Sequence, residues 1–250
     1  MQHRYVADIG DFGKYGLLNA LLAGEQKRAL RLGVLWCLTH PSGKEVHRND
    51  GKHTAYLTDP RHRSLTECNP HLHTRLKRLH AKRRHLSGVQ AEAILPTDTI
   101  YVDEPAEEST LPPVYRLLYR QSYLARAAIS LREADLIFCD PDNGISDKLT
   151  TTGGKSILLA ELELFWKLGK SLLVYNHRPR VAESVLRARY AQFKQVLGCS
   201  QLIVFRFRKG SQRDFLLFAQ PQHHRLLKLP IANFQQSLWV QRGLFEQFAV

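Results

Sequence analysis

The chain has 250 residues, 44% of them hydrophobic and 9% aromatic, enough to bury a substantial core as one domain. Its 36 Lys and Arg against 23 Asp and Glu leave a formal charge of +13, and so basic a surface attracts polyanions, of which nucleic acid is the commonest. The four cysteines lie far apart with no CxxC pair, which excludes a disulfide framework or cysteine zinc cluster and fits a reducing cytoplasm; no apolar run approaches the roughly 20 residues of a membrane span, and the N-terminus lacks a signal-peptide core.

The chain opens on Asp8-Ile9-Gly10-Asp11-Phe12-Gly13-Lys14-Tyr15-Gly16. Its glycines could let the backbone approach an anion. Residues 13–23 place Leu17, Leu18, Leu21 and Leu22 at helical spacing, so Lys14 opens a helix. A cation there opposes the helix dipole unless Asp8, Asp11 or a bound phosphate offsets it; the plainer reading is an N-cap at Asp11 with an exposed Lys14. Residues 32–38 read as a buried strand. The loop Thr39-His40-Pro41-Ser42-Gly43-Lys44 follows it at the position a cofactor would use, and Asp50 is either a turn residue or an acceptor for a ligand hydroxyl. Lys14, His40, Ser42, Gly43 and Asp50 are therefore the cofactor candidates.

Residues 70–86 form a helix with Leu72, Leu76, Leu79 and Leu86 inward. Its outer face carries Arg75, Lys77, Arg78, Lys82, Arg83 and Arg84 with no acid among them, a nucleic-acid-binding candidate on a basic helical insertion around 65–90. A merely solvated face is the alternative. Residues 91–95 and 99–103 read as short strands and 112–132 as a helix. Residues 134–140 read as a strand that runs into Asp140-Pro141-Asp142-Asn143-Gly144, the strongest local signal. Open α/β sheets bind ligands at the carboxyl ends of strands, so Asp140, Asp142 and Asn143 are the catalytic candidates; an ordinary turn would use the same residue types.

Thr152-Gly153-Gly154-Lys155-Ser156 fails as a P-loop because Leu149 stands where its first Gly belongs. Residues 156–168 read as a helix, 171–176 as a strand and 181–197 as a helix. Asn176 and His177 end their strand on the same sheet edge as Asp140 and, with Asp11 and Lys155, complete a candidate cleft. His71, His73, His80, His85, His223 and His224 lack Cys or carboxylate partners at metal-ligand spacing, so no metal site is assigned. Residues 201–208 and 213–219 read as an antiparallel hairpin around 209–212. The whole is a single α/β domain over 1–250: a Rossmann-like, methyltransferase-type, mostly parallel sheet with a C-terminal antiparallel hairpin, in which 201–208 is expected to run against 171–176.

The stretch from His3-Arg4-Tyr5 through Gly10-Asp11-Phe12-Gly13-Lys14-Tyr15, residues 38–43 (LTHPSG), and Asp140-Pro141-Asp142-Asn143 together resemble the large-subunit ribosomal RNA adenine-N6 methyltransferases. The chain also resembles bacterial proteins that share the Gly-Asp-x-x-Lys-Tyr start and the Asp-Pro-Asp-Asn-Gly centre. The first resemblance implies S-adenosylmethionine as cofactor and nucleic acid as substrate, with Asp140 and the Pro141 carbonyl accepting from the target amine. It departs where Asn143 replaces a stacking aromatic and where the glycine loop is reduced to Pro41-Ser42-Gly43. Two other readings stay open. One is a Mg²⁺-dependent nuclease or phosphoryl-transfer enzyme using Asp140, Asp142 and Lys155; the other is a non-catalytic nucleic-acid-binding module on the same fold.

Overall fold

The computed structural model describes residues 2–23, 30–39, 51–107, 110–147 and 155–250. After α1 (Ile9–Leu22) and β1 (Leu32–Leu35) come three helices, α2 (Arg63–Thr66), α3 (Pro70–Lys82) and α4 (Ser87–Ala91). β2 (Ile100–Val102), α5 (Pro113–Ser130), β3 (Leu136–Cys139), β4 (Gly144–Ser146), β5 (Ser156–Leu158) and α6 (Leu159–Lys167) follow. The chain continues through β6 (Ser171–His177), α7 (Glu183–Val196), β7 (Gln201–Phe207) and β8 (Arg213–Ala219) to α8 (His224–Gln235), α9 (Leu238–Gln241) and β9 (Phe245–Phe248). The main sheet has seven strands in the order β2-β1-β3-β6-β8-β7-β9. β2, β1, β3 and β6 are parallel; β8, β7 and β9 alternate in direction.

The strands read as continuous apolar runs because both faces are covered. Leu136 and Phe138 of β3 enter the hydrophobic cluster beneath α1, α3 and α8, while Ile137 and Cys139 enter the opposite cluster with α5, α6 and α7. β8 repeats the pattern: all seven residues are buried, with Phe215 and Leu217 on one face and Leu216 and Phe218 on the other.

That burial corrects the expected strand placement. β8, not β7, pairs antiparallel with β6, and β7 lies outside it. The segment 201–207 therefore runs in the same direction as 171–177 without touching it. β8, whose apolar residues 215–219 form one unbroken run, takes the inner position, while β7, whose run is broken by Arg206, is flanked by the short strand β9. The hairpin itself forms with Val204 opposite Leu216.

Other boundaries move for local reasons. Residues 91–95 are not a strand: α4 ends there, Ala93 has φ 47°, and Ile94 and Leu95 are buried side-on. The basic helix stops at Lys82, with Arg83 extended, so that Arg84 donates to the Val6 carbonyl at 2.6 Å and Leu86 is buried. The expected helix over 156–168 begins with β5, which pairs parallel with β4. The last 30 residues, left without elements by the sequence reading, supply α8, α9 and the edge strand β9. All four cysteines are free, and no helix among the described residues is long and apolar enough to cross a membrane.

Candidate functional site

Asp8, not Asp11, caps α1: its Oδ1 accepts from the Asp11 amide at 2.9 Å. The helix therefore starts earlier than its leucine spacing predicts, and Gly10, Gly13 and Gly16 lie inside it on one face. A Cβ on Gly13 would meet the Phe207 ring at 2.5 Å, and one on Gly16 would meet Trp239 at 2.3 Å. These glycines let α1 sit close against side chains from the sheet and α9; they do not open the backbone to an anion.

This close docking carries Lys14 to the end of β3. Its Nζ donates to Asp11 Oδ1 and to Asp140 Oδ2, each at 2.7 Å. Lys14 is buried, and burial alone would lower its pKa; the charges of Asp11 and Asp140 more than offset that and hold the ammonium above its ordinary value. Burial raises the pKa of Asp140, with Lys14 opposing it. Asp11 also accepts from the Ala7 amide at 3.0 Å and from the Tyr15 hydroxyl at 3.3 Å. Lys14 is thus the centre of a buried carboxylate–ammonium–carboxylate array, rather than an exposed residue at a helix start.

A cavity of about 570 Å³ opens over this array at the carboxyl ends of β3 and β6. Asp11, Lys14, Asp140, Asp142, Asn143, Lys155 and His177, all expected from the sequence, line it. Asp142 is half-buried and accepts from Gln2 Nε2 at 2.9 Å and Thr39 Oγ1 at 3.0 Å. Burial works against its charge, but these and other favourable contacts keep its pKa below the ordinary carboxylate value. Asn143 is exposed at the rim, and its amide donates to the Lys155 carbonyl at 2.8 Å. That bond and the β4–β5 pairing bring Lys155 beside the acidic motif. His177 is exposed at the end of β6; desolvation, then the Arg213 charge, pull its pKa below the ordinary imidazole value.

Asn176 is not in the cleft. It is buried, accepts from the Ile145 amide at 2.9 Å and donates to the Tyr190 hydroxyl at 3.1 Å. Tyr190 donates to Asp214, which takes the Arg206 guanidinium at 2.8 and 3.1 Å. Strand alternation explains the difference: Tyr175 and His177 face the cleft, and Asn176 points to the opposite face of β6. His40, Ser42, Gly43 and Asp50 lie outside the described residues.

Gln2, His53, Ser211 and Arg213, which the sequence reading missed, also line the cleft, as do Asp8, named there only as a counter-charge for Lys14, Tyr175, at the same strand end as Asn176 and His177, and Arg4 and Tyr5, quoted only for the resemblance. Most of those missed come from segments with no motif. Arg213 alone left a trace, as a charge opening the apolar run of β8.

The basic face is only partly as expected. Arg75, Lys77, Arg78, Lys82 and Arg83 are exposed, but Lys82 pairs with Glu92 at 2.7 Å and Arg75 bonds the Ala93 carbonyl. Arg84 turns inward, where burial lowers its pKa, and His3 stacks on His85 with centroids 3.7 Å apart. Arg84 thus belongs to the scaffold that holds the N-terminal segment over the cleft. Lys77, Arg78 and Arg83 remain as the outward charges. Scanned against protein-family models and against curated proteins, the chain matches none.

Proposed function

We propose that the protein is a methyltransferase-like enzyme that binds S-adenosylmethionine and acts on nucleic acid. One observation carries the reading: the cleft lies at the carboxyl ends of the parallel strands β3 and β6, next to the point between β1 and β3 where the strand order turns back, the usual ligand position of an open α/β sheet. The antiparallel β7–β8 hairpin on a parallel core supports it, as does the resemblance over the N-terminal segment and residues 140–143.

The chemistry of the lining fits that cofactor. S-adenosylmethionine carries a carboxylate together with ammonium and sulfonium charges. Around the cofactor the cleft presents both signs, with Asp8, Asp11, Asp140 and Asp142 against Arg4, Lys14 and Lys155. A nucleoside triphosphate would meet the four carboxylates as like charges. The Gln2 Oε1, buried beside Asp142, has no hydrogen-bond partner among the described residues, so Asp142 and Gln2 offer acceptors for ammonium or hydroxyl donors. Lys155 offers a charge for the carboxylate. The cofactor supplies an electrophilic methyl group. Asp140 holds Lys14 rather than reaching the target itself, and the rim at half-buried Asp142 and exposed Asn143 orients the acceptor. Lys77, Arg78 and Arg83 with the net charge of +13 favour a polyanionic substrate.

The Mg²⁺-dependent reading finds less support. Lys14 takes the position between Asp11 and Asp140 that a cation would need, and among the described residues no three His, Cys, Asp or Glu side chains form a metal-binding group. Isothermal titration of the full chain with S-adenosylmethionine, and separately with Mg²⁺, tests the proposal. Micromolar cofactor binding without metal is the expected result. Absence of cofactor binding, or divalent-dependent cleavage of RNA or DNA, overturns it.

A further inference from the structure

Three buried arginines occur among the described residues, and two have close carboxylates. Arg120 forks onto Glu161 at 2.5 and 2.7 Å, and Arg206 onto Asp214 at 2.8 and 3.1 Å. Arg213 differs. It is 7% exposed and lines the cleft, yet its hydrogen bonds run to neutral groups: Nε to the Ser211 carbonyl at 3.1 Å and Nη2 to Ser211 Oγ at 2.7 Å. Its nearest carboxylate, Asp8, is 3.9 Å from Nη1 and is engaged in capping α1. Burying a guanidinium without a close anion is costly.

The placement is also built for. Nη1 occupies the space above Gly10, where a Cβ would lie 1.1 Å away. Gly10 is in the first turn of α1, so the guanidinium faces the positive pole of the helix, a repulsive position unless an anion is near. His177 is the cross-strand partner of Arg213 in the β6–β8 register. Its exposed ring lines the same cleft and has no bonded partner among the described residues. Ser211 Oγ, occupied as an acceptor by Arg213, keeps its own proton to donate.

We infer that Arg213, His177 and Ser211 form an oxyanion subsite that takes one backbone phosphate of the nucleic-acid substrate. The cofactor's place over β1 and β3 rests on the function proposed above. The subsite lies over β6 and β8, on the opposite side of Asp140 from β1, and so falls to the substrate. A phosphate held there would fix the strand beside the rim at Asp142 and Asn143 without reading its sequence.

Isothermal titration of the full chain separates the possibilities. The probes are a single-stranded trinucleotide, the same trinucleotide with neutral methylphosphonate linkages, and S-adenosylmethionine. The variants are Arg213→Met and the exposed pair His177→Gln with Ser211→Ala; the pair carries the test if loss of Arg213 unfolds the chain. The charged trinucleotide should bind wild type at least tenfold tighter than the neutral one. Each folded variant should lose about tenfold of that affinity and keep its affinity for S-adenosylmethionine. Equal binding of the two trinucleotides, or unchanged binding by the pair variant, overturns the subsite. A fall in S-adenosylmethionine affinity in the pair variant assigns the anion to the cofactor carboxylate and overturns the substrate assignment. Wild type that ignores S-adenosylmethionine but discriminates the trinucleotides as expected overturns the proposed function and leaves the subsite standing.

Discussion

Lys14→Met removes the charge at the centre of the cleft while keeping an apolar stem of similar length. The lost ammonium lies 2.7 Å from each of two carboxylates, and the three side chains are 4%, 2% and 4% exposed, so water cannot replace it. Removing one partner of a buried ion pair costs about 3–5 kcal/mol, and here two buried carboxylates, Asp11 and Asp140, lose their shared ammonium, so a loss in the upper part of that range is expected. For a chain of this size that is a fall in Tm of roughly 8–20 °C. The loss also depends on pH. Burial already raises the pKa of Asp140 and Asp11 in the folded state, and without Lys14 both rise further. A carboxyl with a raised folded pKa favours the folded state below its unfolded pKa and loses that contribution as pH rises through the folded value. The variant's deficit against wild type should therefore be largest above neutral pH and narrow as pH falls toward the ordinary carboxylate range. Urea unfolding of both proteins at several pH values measures it. Asp140→Asn, which leaves the Lys14–Asp11 pair in place, should cost less, about 1–3 kcal/mol. A Lys14→Met deficit under 1 kcal/mol at neutral pH, or one that widens on acidification, would refute the electrostatic argument.

Gly16→Ala should destabilise by about 1–3 kcal/mol, because its Cβ would lie 2.3 Å from the Trp239 ring, and the displaced indole should alter the intrinsic fluorescence; unchanged emission and Tm contradict the close docking of α1. Burial pushes the Cys37 thiol up to about 12 and Cys139 well above its ordinary value, so both should resist a thiol reagent at pH 8 until urea unfolds the chain, and early labelling of either in the native state contradicts their burial. Replacing Lys77, Arg78 and Arg83 together with Gln should weaken binding to short RNA and DNA duplexes and reduce its salt slope by up to roughly one unit per lost phosphate contact, with Tm unchanged; an unaltered slope makes this face mere surface. Arg84 is kept in that variant because it bonds the N-terminal segment.

The main strands and longer helices were legible because they depend on period and run length. β3 and residues 215–219 of β8 are apolar without interruption, the pattern of a strand buried on both faces. The acidic motif at 140–143 was legible for a similar reason: an apolar strand that ends abruptly in polar turn residues marks a sheet edge. The order of β7 and β8 was not, because both arms are apolar and only competition for the inner position decides between them. Nor were the close docking of α1 and the end of α3, where the deciding contacts come from far along the chain: Phe207 and Trp239 against α1, and Val6 for the turn after α3.

The sequence by itself determined the α/β class, the hairpin, the basic surface and the edge of the sheet where Asp140 stands, since each follows from local composition and spacing. Only the tertiary structure decided that Lys14 is buried between two aspartates, that Asn176 faces away from the cleft in a network with Tyr190 and Asp214, and that Arg213 reaches across Gly10 into the site. Those outcomes depend on which distant groups meet once helices dock on the sheet, and electrostatic pairing at about 3 Å leaves no periodic trace along the chain.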